Sequence, residues 1–233
     1  MIIAVNARTL RAVPRDGIGW FTLEVVSGMV RNHPEHRFVL IGDRRYGRLP
    51  AEGNRQHEQA TAEGNRQDEQ APAADARASG ILPVEGRNVE YVTIPLRTVH
   101  PLLWHAWHEY LLPPVLKRIK ADLFIAPDGM IPLRTEVPCI PVIHDLNHEH
   151  RPGDIPGGEC RYYRRRFPLF AAKGARVATV SHFSAGDIAA TYGISPDKID
   201  VVPNGVAAVF SPPQPGEAEE TRRQYTGGRP YFL

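Results

Sequence analysis

The sequence feature that most constrains the fold is a short apolar run, residues 140–143, that leads directly into His144 and Asp145. A short run without polar residues is typical of a strand buried on both faces, as in a parallel sheet covered by helices. Ligands of such sheets bind beyond the carboxyl ends of the strands, which is where His144 and Asp145 would lie. The alternative at this point is structural: His144 caps a loop and Asp145 accepts hydrogen bonds from nearby amides.

Similar runs recur along the chain and alternate with segments of helical periodicity. Glycine, proline or a charged turn separates most of them. This alternation predicts an α/β fold with a doubly wound, mostly parallel sheet and helices on both faces. The run at 88–94 alternates apolar and polar residues, which places it nearer the sheet edge. The predicted strands are residues 2–5, 37–42, 88–94, 122–126, 140–143, 177–180 and 199–202.

The predicted helices cover residues 18–30, 102–119, 159–173 and 184–192. In the second of these, Pro113 and Pro114 should break the helix, because proline lacks an amide hydrogen and clashes with the preceding turn. In the last, Ser184 and Asp187 resemble a capping box, and Gly193 should end the helix.

Composition sets the class of protein. A chain of 233 residues with 42% apolar residues can build one large domain or a domain and a half. The net charge of +2 gives no indication of a nucleic-acid partner. Cys139 and Cys160 show neither metal-ligand spacing nor the density of a disulfide scaffold. The N-terminus does not resemble a signal peptide, and no apolar run has the length of a membrane span. We therefore expect a cytoplasmic protein.

One internal repeat interrupts the alternation. Residues 51–60 recur as residues 62–71, with Asp68 in place of His57. No large apolar residue occurs between Ala51 and Gly80, so this stretch has too little apolar surface to offset the entropy of ordering it. We predict a disordered low-complexity insertion at about residues 48–80.

Aromatic residues form a stripe before the two prolines, at Trp104, Trp107 and Tyr110, followed by Leu111. Such a stripe more often faces a core than a ligand, and we expect it to be buried.

Three histidines, His144, His148 and His150, are close in sequence. The residues between them fit no standard metal-binding helix, so no metal is predicted there.

A basic run lies in the helix at 159–173, with Arg161, Arg164, Arg165 and Arg166. A solvated face is the simplest interpretation. Contact with phosphate or anionic lipid headgroups, and hence peripheral membrane contact, is the alternative.

A glycine-containing turn, Gly17, Ile18 and Gly19, follows the first strand and begins the first helix. This arrangement can direct backbone N–H groups and the positive end of a helix toward a phosphate. The third glycine of the dinucleotide fingerprint is missing, so a plain tight turn stays open as the alternative.

Taken together, these motifs resemble the N-terminal half of a family 4 (group 1) retaining glycosyltransferase, which has two Rossmann-like domains in the GT-B arrangement. No single motif is specific, but their shared order and spacing from residue 1 to about 210 is. The matching segments are residues 17–19, Trp104 with 112–113 and 121–122, then 142–146, 178–184, 192–199 and 202–206.

The resemblance implies a nucleotide-sugar donor and a sugar or lipid-linked acceptor bound between two domains, without a metal or other cofactor. By resemblance, His144 bonds the donor sugar near the anomeric carbon and Asp145 fixes the loop or the imidazole. Gly17, Ile18 and Gly19 approach the donor diphosphate.

The resemblance also places Ser181, Asn204 and Gly205 at the cleft or acceptor. The chain departs from the family pattern at Trp20, where arginine is frequent, and at Asn6, where an acid is frequent.

The donor-binding half of the family carries two glutamates separated by seven residues, and no pair here has that spacing. Residues 229–233 resemble the first strand of that second half. We therefore expect an acceptor-side domain at 1–210 and, at 211–233, a linker and the start of a missing donor-binding domain. That domain would be a separate chain or lost by truncation, and residues 1–233 alone would be inactive.

Two other classes of function remain. One is a non-catalytic protein that binds an acceptor or a partner through the same half-enzyme. The other is a dinucleotide-dependent oxidoreductase, which the missing third glycine disfavours. Gly42 also ends the second strand where such enzymes carry an acid, although Asp43 follows it.

Overall fold

The protein is described from a computed structural model that covers residues 1–11, 16–43, 84–206, 212 and 215–230. The predicted insertion at about 48–80 and the last three residues of the predicted strand at 229–233 lie outside these ranges.

Within the described residues, seven parallel strands form the sheet structure. Five of them make one sheet in the order β3-β2-β1-β4-β5, and β6 pairs with β7 in a second. At the centre, Ile3 lies opposite Phe38 of β2 and Leu123 of β4. The strands are β1 (Ile2–Asn6), β2 (Arg37–Gly42), β3 (Val89–Thr93), β4 (Leu123–Ala126), β5 (Cys139–Pro141), β6 (Val177–Thr179) and β7 (Ile199–Val201).

The two sheets contact each other at the end of β5. Val142 forms an isolated parallel bridge with Ala178, and the Ile143 amide donates to the Ala178 carbonyl at 2.8 Å. The strand predicted at 140–143 is observed at Cys139–Pro141, so it ends two residues earlier than expected, although the Val142 amide still donates to the Ala126 carbonyl of β4 at 2.9 Å. From β1 the chain adds β2 and β3 on one side, and it then returns to add β4 and β5 on the other side. The position between β1 and β4 is therefore the topological switch point, where such sheets bind ligands.

The strands are apolar because both faces of the sheet are covered. Alternate residues of β1 and β2 pack on one side against α1, where Val26 and Val30 are buried. The other set packs beneath the remaining helices around Trp107, Phe124 and Phe170. Helices on both faces of a parallel sheet confirm the predicted α/β, Rossmann-like fold. β3 is only half-buried at the sheet edge, also as predicted.

The helices are α1 (Gly17–Asn32), α2 (Pro101–Ala106), α3 (Leu112–Arg118), α4 (Asn147–His150), α5 (Gly157–Lys173), α6 (His182–Tyr192) and α7 (Glu217–Thr226). Short 3-10 turns occupy Arg8–Arg11, Pro152–Asp154 and Pro196–Lys198.

The predicted break at Pro113 and Pro114 is wrong in position. A π-helical segment, Trp107–Leu111, joins α2 to α3, and the Leu112 amide bonds back to the Trp107 carbonyl. Both prolines follow in the first turn of α3, where the wider turn before them relieves the clash between proline and the preceding carbonyl.

The π-helical segment also explains why the aromatic stripe is only partly buried. A five-residue turn shifts the angular position of every later side chain, so the 3.6-residue period does not continue through it. Trp107 is fully buried and Trp104 half-buried, whereas Tyr110 and Leu111 are exposed.

The predicted capping box at Ser184 is a further error. The helix begins at His182, and its N-cap is Ser181, whose side chain accepts from the Ser184 amide at 3.0 Å. Asp187 instead contacts His150. Gly193 ends the helix at φ 64°, as predicted.

The chain divides into two compact units, residues 1–202 and 203–233. The second unit contains α7, which lies inside the linker predicted at 211–233. This helix begins after Gly216 at φ 89° and has glutamates in its first turn, which the positive helix end stabilises. The predicted donor-binding domain stays a prediction.

Candidate active site

A cavity of about 520 Å³ opens at the carboxyl edge of the five-stranded sheet. Loops that follow β1, β2, β4 and β5 supply most of its polar side chains, and α2 and α5 supply an aromatic wall. The residues that line it are Arg8, Thr9, Ile18, Asp43, Thr98, Trp104, Asp128, Met130, Val142, His144, Asp145, His148, Ile155, Tyr163 and Phe167.

His144 lies in the cavity wall directly after β5, where the apolar run predicted it. Its Nε2 lies 2.9 Å from the Pro127 carbonyl oxygen, and its ring meets Phe21 edge to face at 4.9 Å. A carbonyl oxygen can only accept, so Nε2 carries the proton in this contact. In the neutral imidazole, Nδ1 is then the acceptor nitrogen.

Asp145 is exposed at the cavity rim. Its Oδ1 accepts a hydrogen bond from the Asn147 amide at 2.9 Å, at the start of α4. Of the two roles that the resemblance implied for this residue, the structure shows the contact with the loop.

Beside His144, a buried ion pair joins the loops after β1 and β4. Arg8 Nη2 lies 2.7 Å from the Asp128 carboxylate, and the two side chains are 10% and 9% exposed. Asn6 Nδ2 donates to both carboxylate oxygens at 3.0 Å, and the Met130 amide donates to one at 3.2 Å. The Arg8 guanidinium also lies 5.3 Å from the centroid of the buried Trp107 ring.

Gly129 shapes the turn that presents Asp128. Its φ is +77°, a conformation that side chains rarely adopt, and an added Cβ would lie 2.9 Å from the Phe167 ring. The turn at 127–129 was predicted from sequence, but its role in placing a buried carboxylate was not.

Beneath the ion pair, His108 is fully enclosed. Burial, and secondarily the positive charge of Arg8, lower its pKa to about 3. Its Nδ1 lies 2.8 Å from the Trp104 carbonyl and therefore donates to it. Nε2 faces the Asn6 amide at 3.5 Å. The imidazole is thus neutral, and its Nε2 is free to accept from the Asn6 side-chain amide.

The aromatic wall has Trp104 and Tyr163 at its centre, with rings nearly parallel at 6° and centroids 5.8 Å apart. Trp104 Nε1 donates to the Thr98 carbonyl at 2.8 Å. The Thr98 amide and hydroxyl in turn donate to Asp43 at 3.2 and 2.8 Å. Burial raises the pKa of Tyr163, so its phenol stays protonated.

Behind this wall, Glu109 of the π-helical segment is buried. It pairs with Arg166 of α5 and accepts from the Leu133 amide at 3.2 Å. The pair therefore ties the helix that carries Tyr163 to the segment that follows Trp104.

The three histidines that are close in sequence, His144, His148 and His150, contact three different partners. His144 bonds the Pro127 carbonyl, His148 lies 2.8 Å from the Tyr192 hydroxyl, and His150 lies 2.9 Å from Asp187. Burial lowers the pKa of His148.

Gly17, Ile18 and Gly19 form the first turn of α1, and Ile18 lines the cavity. The Gly19 amide already donates to the Asp16 carboxylate at 2.7 Å. A phosphate at this helix end would have to displace Asp16 from Gly19. The donor-phosphate role stays a prediction.

The other predicted cleft residues are less informative. Ser181 serves as the cap of α6. Asn204 and Gly205 are exposed and belong to the second unit, so their place at a cleft stays a prediction.

Two of the α5 arginines pair with glutamates, Arg164 with Glu149 and Arg166 with Glu109. Arg161 and Arg165 are exposed, as a solvated face requires. Among the described helices, none combines the length and apolar character needed to cross a membrane.

Comparison with known proteins supports the family. Two solved structures are similar over nearly the whole chain. One is a glycosyltransferase from Rickettsia africae ESF-5, with 15% identity over 96% of this chain and 48% of that chain, at a TM-score of 0.45. The other is WaaG, a glycosyltransferase involved in lipopolysaccharide biosynthesis, with 13% identity over 97% and 51% and a TM-score of 0.53. The likeness to WaaG shows the fold.

This chain spans about half the length of both solved chains. No curated protein sequence matches it. The family model described as Glycosyltransferase Family 4 matches residues 15–210, well over half of the chain. The chain therefore belongs to glycosyltransferase family 4.

Proposed function

We propose that residues 1–233 form the acceptor side of a glycosyltransferase that moves a sugar from a nucleotide-sugar donor to a sugar or lipid-linked acceptor with retention. The observation that carries this proposal is the cavity at the switch point of the sheet, with His144 in its wall. Ligands of doubly wound folds bind at this position, and the family membership gives the class of chemistry.

His144 is the residue that we assign to the donor sugar. Because the Pro127 carbonyl fixes Nε2, the ring orientation is set before substrate binds. Nδ1 then accepts a hydrogen bond from a sugar hydroxyl near the reacting carbon. A donor or acceptor that is already oriented stabilises developing charge without reorganisation, which is the main source of catalysis in such sites.

The acceptor sugar is assigned to the wall formed by Trp104 and Tyr163. Aromatic faces pack against the apolar faces of sugar rings, and the neighbouring Thr98 and Asp43 supply polar groups for hydroxyls. Trp104 is held by its bond to Thr98, so the platform is rigid.

Catalysis requires a second domain that binds the nucleotide. The WaaG chain, which shares the fold, is about twice as long as this one and therefore has room for such a domain. Without the second domain, each ~1.4 kcal/mol of lost donor contacts weakens binding tenfold. We expect residues 1–233 alone to transfer no sugar.

A second candidate is a non-catalytic protein that binds an acceptor. The bond between Asp16 and the Gly19 amide favours it, because that bond places a carboxylate where a donor phosphate would lie. Titration with nucleotide sugars and with methyl glycosides separates the two functions. Binding of glycosides, together with no transfer in the presence of a compatible donor-binding domain, would establish the second.

The direct test is His144→Ala in the chain joined to a compatible donor-binding domain. Loss of one positioned group should lower turnover about 100-fold while folding is unchanged. His150→Ala is the matched control, since the His150 side chain is 55% exposed and is not among the cavity-lining residues. Near-normal turnover of His144→Ala would reduce this residue to a loop cap, and turnover by residues 1–233 alone would remove the need for a second domain.

A further inference from the structure

The turn between α1 and β2 brings two histidines and a glutamate together, and none of the three is among the residues that line the cavity. His33 ends α1 with its amide bonded to the Met29 carbonyl at 2.9 Å. The His36 amide then bonds the His33 carbonyl at 3.1 Å, which closes a four-residue turn with Pro34 in its second position. Proline at this position fixes the backbone angle that such turns need.

A side chain from the neighbouring strand region holds this turn from outside. Asn88, one residue before β3, directs its Nδ2 to the carbonyl oxygens of His36 at 3.0 Å and His33 at 3.4 Å. Both ends of the turn are therefore fixed in the folded protein. Binding by such a turn needs no ordering of the backbone, which lowers the entropy lost on binding.

Both histidine side chains approach the same carboxylate oxygen of Glu35. His33 Nδ1 lies 3.1 Å from Glu35 Oε1, and His36 Nε2 lies 3.7 Å from the same atom. The two imidazole rings are stacked, 5.6 Å apart and inclined by 14°. One ligand atom from each residue lies within 4.8 Å of the others. The nearby Arg37 guanidinium binds Glu90 at 2.5 Å rather than Glu35.

We propose that this turn is a binding site for a divalent first-row transition metal such as Zn²⁺, with His33, Glu35 and His36 as ligands and water completing the coordination. Imidazole and carboxylate are donors that zinc prefers. Zinc ligands lie about 2.0–2.2 Å from the metal, which places neighbouring ligand atoms roughly 3.3 Å apart in a tetrahedron. The 3.1 Å between His33 Nδ1 and Glu35 Oε1 is close to this separation, whereas His36 Nε2, at 3.7 Å from Glu35 Oε1, has to move closer to the other two ligands.

The remaining adjustment falls on side chains that are able to move. Stacked rings direct their nitrogen lone pairs nearly parallel, so one ring has to rotate for both to face the metal. His33 and Glu35 are 55% and 58% exposed, and their rotation meets little resistance. His36 is 25% exposed and provides the fixed ligand.

The location of the turn defines the role of the metal. The turn precedes the amino end of β2, whereas the cavity lies at the carboxyl ends of the strands. A metal here joins the end of α1 to β2 and does not contact the reacting sugar. Because it binds the folded turn in preference to the unfolded chain, it raises the unfolding temperature.

The test is a calorimetric titration of the full chain, without an affinity tag, with ZnCl₂. Titration with Co²⁺ adds the visible spectrum that distinguishes tetrahedral from octahedral coordination. We expect one site, and we expect His33→Ala, Glu35→Gln and His36→Ala each to weaken it about tenfold or more. His150→Ala and His182→Ala are controls that leave this site unchanged, since each removes an imidazole outside the turn.

Asn88→Ala separates a built site from a chance cluster. It removes no ligand, yet it releases the carbonyls that fix the turn, so zinc affinity should fall several-fold. Circular dichroism checks that each variant is folded. Absence of zinc binding, or binding that persists in the His33→Ala, His36→Ala double variant, would overturn the proposal.

Discussion

Two arginine–aspartate pairs in this protein have the same chemistry in different surroundings. Arg8 and Asp128 join the loops after β1 and β4 at the cavity, with side chains 10% and 9% exposed. Arg176 and Asp200 join the start of β6 to β7, with side chains 48% and 49% exposed. Asp128 also accepts from Asn6 and Met130, whereas Asp200 is held mainly by the Arg176 guanidinium, with Nη2 at 2.6 Å.

The difference shows which ion pair the site depends on. Two buried charges lose their hydration, which costs free energy. Their mutual attraction and further hydrogen bonds have to compensate for that cost. An exposed pair exchanges readily with water and is screened by salt. The buried pair of Arg8 and Asp128 therefore fixes the loops at the cavity, whereas the pair of Arg176 and Asp200 lies on the surface and should contribute little to stability.

The largest effect should come from Asp128→Ala. The change leaves the Arg8 guanidinium buried without its counter-charge, and loss of one partner of a buried pair typically costs about 3–5 kcal/mol. Urea unfolding followed by circular dichroism measures the loss.

The double variant Arg8→Met, Asp128→Leu is the control for Asp128→Ala. It removes both charges, and it should recover much of the lost stability. A loss below about 1 kcal/mol in Asp128→Ala would mean that Arg8 reaches water and that the two pairs are alike.

The pair of Glu109 and Arg166 lies between these extremes, with exposures of 4% and 21%. Glu109→Ala leaves the Leu133 amide without its acceptor and should cost about 2 kcal/mol, since hydrogen bonds to a charged group contribute about 1.5–3 kcal/mol. Arg166→Ala should cost less, because Leu133 keeps its partner. Equal losses in the two variants would show that the charge pair, and not the amide contact, dominates.

The sequence allowed the sheet and part of the site to be predicted for a physical reason. Strands buried on both faces must be continuously apolar, so their positions and the residues that follow them can be read from the sequence. That is why His144 and Asp145 lie at the cavity as expected. The alternation at 88–94 likewise reported a half-buried edge strand.

The rest depends on contacts that no local pattern records. Asn6, Arg8 and Asp128 meet only because β1 and β4 are neighbours, although about 120 residues separate them. A usable signal existed, since Arg8 and Asp128 each stand two residues beyond a strand end. The choice of Ser181 over Ser184 as a cap is not decided by a local pattern either, because either serine could cap a helix.

A smaller effect is expected on the pH dependence of stability, and it comes from His108, which is buried beside the pair of Arg8 and Asp128. Burial lowers the pKa of His108 from 6.5 to about 3, so between these values the unfolded chain binds a proton that the folded protein does not. The free energy of unfolding should therefore fall as pH drops below about 6.5, with a contribution of up to ~1.4 kcal/mol per pH unit. His108→Gln removes this contribution, so urea unfolding at pH 6.5, 5.5 and 4.5 should give a flatter profile than the native chain. Equal slopes for the variant and the native chain would show that a group other than His108 causes the pH dependence.

The smallest effect should come from Arg176→Ala, on the exposed side of the comparison. The Asp200 carboxylate hydrogen-bonds to the guanidinium, and this bond lowers its pKa, yet water replaces the arginine as soon as it is removed. The unfolding midpoint in urea should therefore match that of the native chain within error, and added salt should leave the match unchanged. Arg8→Ala, measured beside it, shares the chemistry of the change but not the burial, and it should lower the midpoint clearly. A large loss in Arg176→Ala would show that β6 and β7 depend on this pair, and burial would no longer explain why one arginine–aspartate pair matters and the other does not.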